Sequence, residues 1–202
     1  MTQTIPELAL APAAQDLLFR EARTANTFSD EPVTPDEIRA VYDLVKYGPT
    51  AMNSQPLRIT LVSSDEARSR LLPLMAEGNR AKTASAPLVA ILSSDSDFHE
   101  HFPTTFPHKP DAREMFAGMG EARAPMAELN TGLQIGYFIV GVRAAGLYAG
   151  PMTGFDAAGV DAEFLAGTSQ RSRVIVNIGH PGADAYLDRL PRLEAEHVIT
   201  VL

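Results

Sequence analysis

The sequence contains no cysteine. Disulfides, thiolate nucleophiles and thiolate metal sites are therefore excluded, and the absence fits a reducing compartment. Long apolar runs are missing too. The longest, GYFIVGV at 136–142, falls far short of the roughly 20 residues a membrane helix needs, so no membrane partner is expected. Positive charge is scarce: 17 Lys and Arg stand against 25 Asp and Glu, a formal net charge of -8. Nucleic acid is a poor partner for such a surface, and so is an anionic membrane. A small anionic ligand stays open, because it needs only a few placed cations. The N-terminus lacks a basic stretch and carries Pro6, Glu7 and Pro12, which is unlike a secretory signal. A cytoplasmic protein is expected.

Several motifs are also missing. Residues 118–120 begin G-x-G, but no third glycine follows and no strand pattern precedes, so the dinucleotide fingerprint fails. There is no Walker P-loop and no G-x-S-x-G elbow. His99, His101 and His108 share one segment, yet they lack the helical H-E-x-x-H spacing of a zinc site. They read as loop histidines, and no metal is expected.

What is present describes one domain spanning 1–202. The hydrophobic share is 45 %, ordinary for a folded protein. A first helix is predicted over 13–22. The next is sharply marked: Thr34 as N-cap, Pro35 at the first helical position and Glu37 closing a capping box, with Gly48 and Pro49 ending it. Residues 58–64 read as a strand, 65–76 as a helix ended by Gly78, and the apolar run at 87–94 as a buried strand. Residues 95–120 read as a long loop, a length that usually has a task. A helix over 121–145 is apolar nearly all round, with Met126, Leu129, Leu133, Tyr137 and Val140 on one side and Ile135, Phe138, Ile139 and Val142 on another. Such a helix must be buried, in part against another subunit. A glycine-rich turn at 148–156, a helix at 156–165 and a strand at 173–179 follow. The amphipathic tail ends apolar and is expected to dock on something.

Four pieces, in order, carry a resemblance: ARTANTF (22–28), GPTAMNSQP (48–56), GNRAKTASAP (78–87) and GPMTGFD (150–156). Together with the arm around LPRL (190–193), they make the chain similar to the FMN-dependent nitroreductase family. Within it, the chain resembles the subgroup that reduces malonic semialdehyde to 3-hydroxypropanoate with NADP. The resemblance implies an α+β fold, a mainly antiparallel central sheet wrapped by helices, with a C-terminal arm embracing a second subunit. It implies a homodimer with FMN in the interface, and NADPH or NADH as electron donor.

The same resemblance implies the contacts. Arg23, Thr24 and Arg192 match residues at the FMN phosphate, a dianion that needs cations. Asn26 stands where the family usually has a second basic residue. Asn79 and Lys82 match an Asn-x-x-Lys pair near the ring's O2 and N1. There a cation stabilises the reduced flavin's negative charge and raises its potential. Pro49, Thr50, Ala51 and Asn53 match a loop that reaches FMN held mainly by the other subunit; its neutral side chains suit ribityl hydroxyls and the ring edge. Met152, Thr153 and Gly154 match the turn facing flavin N5, with Thr153 where many relatives carry glutamate. Hydride passes from NAD(P)H through the flavin to a small carbonyl compound, so no catalytic side chain is required. His108, Lys109 and Arg113 are candidates for a substrate carboxylate, on loop length and charge. Two other readings stand beside this one: a broad nitro or quinone reductase, and a chain that binds flavin, or scaffolds a partner, without turnover.

Overall fold

A computed structural model describes residues 8–202 of the chain; Pro6 and Glu7 lie outside the described residues. Four strands form one antiparallel sheet: β1 (Leu57–Val62), β2 (Leu88–Asp95), β3 (Tyr148–Met152) and β4 (Gln170–Gly179), in the order β1-β2-β4-β3. Every residue of β2 is buried, as its unbroken apolar run requires of a central strand covered on both faces. Leu88, Ala90 and Leu92 enter one core layer, Val89 and Ile91 the other. Each such side chain contributes about 1.5–3 kcal/mol of burial.

Helix α1 (Pro12–Gln15) is short and passes into a wider π-type turn, Asp16–Arg20, so the regular helix predicted over 13–22 is replaced by two unlike pieces. Helix α2 (Pro35–Val45) starts as expected, with Thr34 Oγ1 accepting from the Glu37 N–H and Glu37 accepting from the Thr34 N–H. Its Ile38 and Val41 pack with the long helix on one sheet face. Helix α3 (Asp65–Leu71) ends in a 3-10 turn, Leu72–Leu74. Gly78 does not end it. Gly78 lies in the first turn of a separate helix, α4 (Glu77–Ser85), which carries both Asn79 and Lys82.

The segment at 95–120 is folded rather than a loop. A 3-10 turn at Phe98–His101, α5 (Phe102–Thr105) and α6 (Ala112–Gly118) enclose a third small core of Phe98, Phe102, Ala112, Phe116 and Ala127. The rings of Phe98, Phe102 and Phe116 meet edge to face at 5.2–5.7 Å between centroids, a favoured geometry. The long helix, α7 (Ala124–Ala144), buries Ile135, Phe138 and Val142. Its other stripe stays outside: Leu129 is 69 % exposed, Leu133 49 % and Tyr137 47 %.

Residues 148–152, expected as a turn, form the edge strand β3. An edge tolerates Pro151, because a missing N–H there breaks no inner ladder. Helix α8 (Ala157–Phe164), capped by Asp156, covers the second sheet face through Val160. After β4 the chain is irregular apart from one turn, Ala195–His197. Leu187, Leu190, Leu193, Val198 and Ile199 along it are exposed.

Candidate functional site

The extended stretch at 22–29 runs beside 180–186. The Asn26 N–H donates to Ala185 O at 2.9 Å, Ser29 N–H to His180 O at 3.0 Å, Gly182 N–H to Thr27 O at 3.0 Å, and Thr27 Oγ1 to Ala183 O at 2.7 Å. Phe28 pairs with Pro181 and is buried. This pairing brings the two ends of the chain together over the end of α7. Between them lies a cavity of about 310 Å³ lined by Arg23, Thr24, Asn26, Arg143, Arg189 and Arg192, among others. Four guanidinium groups and one carboxylate, Asp188, share its wall. Among the described residues none of the four arginines forms an ion pair. They donate to carbonyls instead: Arg23 to Leu187 O, Arg189 to Ala22 O at 3.2 Å, and Arg192 to Leu190 O at 2.9 Å. Four clustered guanidinium groups beside one carboxylate leave a net positive wall, and an anion relieves their repulsion.

The neutral part of the site adjoins the cationic part. Lys82 Nζ lies 3.5 Å from Asn26 Oδ1, linking α4 to the arginine-lined wall. Gly154 O accepts from the Ala76 N–H at 3.0 Å and from Asn79 Nδ2 at 2.9 Å. Asn79 therefore holds the 152–154 turn against the start of α4. A Cβ on Gly154 would sit 2.7 Å from Asn79 Nδ2, so glycine is what allows this close approach. Met152 is buried beneath the turn, next to Thr83 and Asn177, and Thr153 is exposed.

The stretch 49–55 lies elsewhere in the protomer. Pro49, Thr50, Asn53 and Gln55 line a separate cavity of about 410 Å³ with Lys46, Tyr47 and Gly48. The Ala51 N–H donates to Asn130 Oδ1 at 2.7 Å, and Thr50 Oγ1 accepts from the Gln55 N–H at 3.2 Å. Asn53 Nδ2 donates to Thr105 O at 2.8 Å, so its amide is tied to the folded segment at 98–123. Gly48 is needed because the Tyr137 ring lies against it, 2.9 Å from where a Cβ would stand.

The substrate candidates fare differently from one another. Arg113 is paired with Glu100 at 2.7 Å and Glu114 at 3.3 Å, so it has no free charge to offer a carboxylate. The His108 ring rests against Phe106, with centroids 4.0 Å apart. Lys109 forms no ion pair among the described residues; its Nζ lies 3.9 Å from Met115 Sδ. His99 is buried, and desolvation, reinforced by Arg123, lowers its pKa from the usual 6.5. Among the described residues no group of three metal-ligating side chains forms. No helix among them is long and apolar enough to cross a membrane.

Sequence reasoning missed Arg143 and Arg189. Arg189 lies beside the quoted LPRL and was within reach. Arg143 gave no signal, because a lone arginine near a helix C-terminus has an ordinary explanation in the helix dipole.

An antiparallel sheet wrapped by helices, with a cavity lined by four arginines, defines an α+β protein with a cationic cleft. The sequence pattern of the nitroreductase family matches residues 19–180. A Streptomyces coelicolor protein named "Putative NADH dehydrogenase/NAD(P)H nitroreductase" is 62 % identical over 195 residues, covering 96 % of this chain and 99 % of its own. A solved nitroreductase-type structure from Bacillus subtilis superposes with a TM-score of 0.83 at 20 % identity, over 95 % of this chain and 100 % of that one. Another, from Exiguobacterium sibiricum in complex with FMN, gives 0.78 at 17 % identity over the whole of both chains. At those identities the likeness concerns the fold. The chain belongs to the nitroreductase family.

Proposed function

We propose that the chain is an NAD(P)H-dependent flavoprotein oxidoreductase that binds FMN in a homodimer. The observation that carries this reading is the cradle of four guanidinium groups without acid partners. Its donor chemistry fits the flavin's phosphate. The adjoining Asn26, Lys82 and Asn79, with the close-packed Gly154, fit an uncharged ring edge that gains negative charge on reduction. FMN held there would supply hydride-transfer chemistry between a nicotinamide and a second substrate.

The residues divide the remaining work. Arg23 and Arg192 hold the phosphate. Lys82 places a positive charge beside the ring and favours its reduced anion. Asn79 fixes the turn that carries Met152, Thr153 and Gly154, which would let backbone approach the ring closely. Pro49, Thr50 and Asn53 line a different cavity, with Ala51 in the same stretch, and a second copy is the natural source of that half. The exposed stripe of α7 and the apolar tail are the surfaces such a copy would cover. A cytoplasmic location follows from the reducing nicotinamide chemistry.

For the acceptor, malonic semialdehyde reduced to 3-hydroxypropanoate remains the specific reading. With Arg113 occupied by two carboxylates, Lys109 is the candidate cation left for the substrate carboxylate. The neutralisation of Arg113 also favours a second reading, an uncharged nitro or quinone acceptor.

The purified protein is expected to be yellow and to bleach within seconds of adding NADPH or NADH. A colourless protein that ignores added FMN would end the proposal. Turnover of malonic semialdehyde against a nitroaromatic then separates the two acceptors. Lys109→Ala is expected to raise KM for the semialdehyde alone.

A further inference from the structure

Beneath the 152–154 turn, one amide interrupts an apolar layer. Asn177 lies in β4, paired with Val89 of β2 and Gly150 of β3, and is fully buried. Val89 and Ile175, on the same face, belong to the second core. Gly150 leaves room beside it, since a Cβ there would stand 3.5 Å from the Asn177 Cβ. Asn177 Nδ2 donates to Thr83 Oγ1 at 3.4 Å and reaches Met152 Sδ at 3.9 Å, while Oδ1 is buried with no partner among the described residues. Turned over, the amide would accept from the Thr83 hydroxyl and leave its nitrogen bare instead. A buried amide that meets only some of its hydrogen bonds is costly, and a leucine of similar size would be no less stable. Packing alone gives no reason for an asparagine at this position.

Its contacts supply one. Asn79 and Thr83 stand one turn apart on the same face of α4. Asn79 holds the 152–154 turn at Gly154 O, at 2.9 Å. Thr83 meets the start of the same turn from the core side, its Oγ1 4.0 Å from Met152 Sδ. Lys82 leaves that face and reaches Asn26. The turn is therefore joined to α4 at both ends, by a hydrogen bond at Gly154 and by a weaker buried cluster at Met152. We infer that Asn177 is a positioning residue: through Thr83 and Met152 it sets the 152–154 turn against α4, and with it the spacing between that turn and Lys82. The consequence for a flavin ring rests on the function proposed above; the clamp itself does not.

The test compares the full chain as wild type, Asn177→Leu and Thr83→Val, the last keeping the shape of threonine without its hydroxyl. Amide exchange is followed in the flavin-free chain at Ala76 and Asp156, whose N–H groups bond to Gly154 O and Leu74 O and close the turn onto the approach to α4. Ile91 in β2 serves as the reference. Asn177→Leu is expected to melt no lower than wild type. Both variants are expected to quicken exchange at Ala76 and Asp156 about tenfold, the scale of one hydrogen bond, and to leave Ile91 unchanged. In the FMN-loaded protein the two-electron potential is expected to fall by about 14 mV, a roughly threefold loss of preference for the reduced ring. If Asn177→Leu fails to fold, Thr83→Val decides. Exchange unchanged at Ala76 and Asp156, or quickened equally at Ile91, overturns the inference and leaves Asn177 as part of the core. Quickened exchange with an unchanged potential overturns its consequence for the ring. If wild type takes up no FMN, the proposed function falls, and exchange alone decides the clamp.

Discussion

At the scale of single residues, Lys82 offers the sharpest readout. Its ammonium sits beside the neutral amide of Asn26 at 3.5 Å and forms no ion pair among the described residues, so its charge is free to act on a ring. Lys82→Met is expected to lower the flavin's two-electron potential by about 30 mV, equivalent to ~1.4 kcal/mol. A potential unchanged in a dye-equilibrium titration would remove Lys82 from this role. Gly154→Ala makes a different demand. The added methyl forces Asn79 away from Gly154 O, and flavin affinity is expected to fall about tenfold, ~1.4 kcal/mol, with little change in melting temperature. His99 gives a pH dependence. Its folded pKa lies below the unfolded value of 6.5, so the unfolded chain takes up its proton first. Its contribution is complete above pH 6.5 and is lost as pH falls from there toward the folded pKa. His99→Phe is expected to flatten the decline in melting temperature between pH 7.5 and 5.5.

At the scale of elements, the stretch 49–56 stands out for its backbone. Met52, Asn53 and Gln55 have φ of 53°, 49° and 45°, a left-handed region costing about 1–2 kcal/mol for most residues. Three such residues in four positions persist because the surroundings hold them: Asn130 on the Ala51 amide, Thr50 on the Gln55 amide, and Asn53 on Thr105 O. Asn53→Ala is expected to cost about 1–2 kcal/mol from the lost hydrogen bond and the poorer residue at positive φ. Hydrogen exchange across 98–123 should quicken with it. Asn53→Gly restores the backbone's ease and isolates the tether. Exchange unchanged in both variants would show that the two segments are independent.

The elements also show what a sequence can announce. Helix α2 was legible because its start signals are local: Thr34, Pro35 and Glu37 act within one turn. Strand β2 was legible because its apolar run is too short for a buried helix. The folded segment at 98–123 was not. Its prolines and histidines mimic a loop, while the aromatic core that holds it together depends on distant Ala127 as well as Phe98 and Phe116. Gly78 misled because glycine commonly follows a helix; here it sits in a first turn. In the site, Arg23 and Arg192 stood out through motif order. Arg143 did not, since its position depends on how α7 crosses beneath both chain ends.

At the scale of the whole molecule, the arginine-lined cavity and the cavity beside 49–55 are separate, and the apolar stripe of Leu129, Leu133 and Tyr137 lies open. Leu133→Asp touches no core of the monomer. It is expected to shift sedimentation from dimer to monomer and to release the flavin while far-ultraviolet dichroism stays the same. A flavin-loaded monomer would refute the shared site.

The pairing of 22–29 with 180–186 has a consequence for biosynthesis. A ribosome must pass residue 192 before Arg23 can meet Arg189 and Arg192. A chain stalled after β4 would own the four strands but lack Ala185 of the second core, and with it Arg189 and Arg192 of the cavity wall.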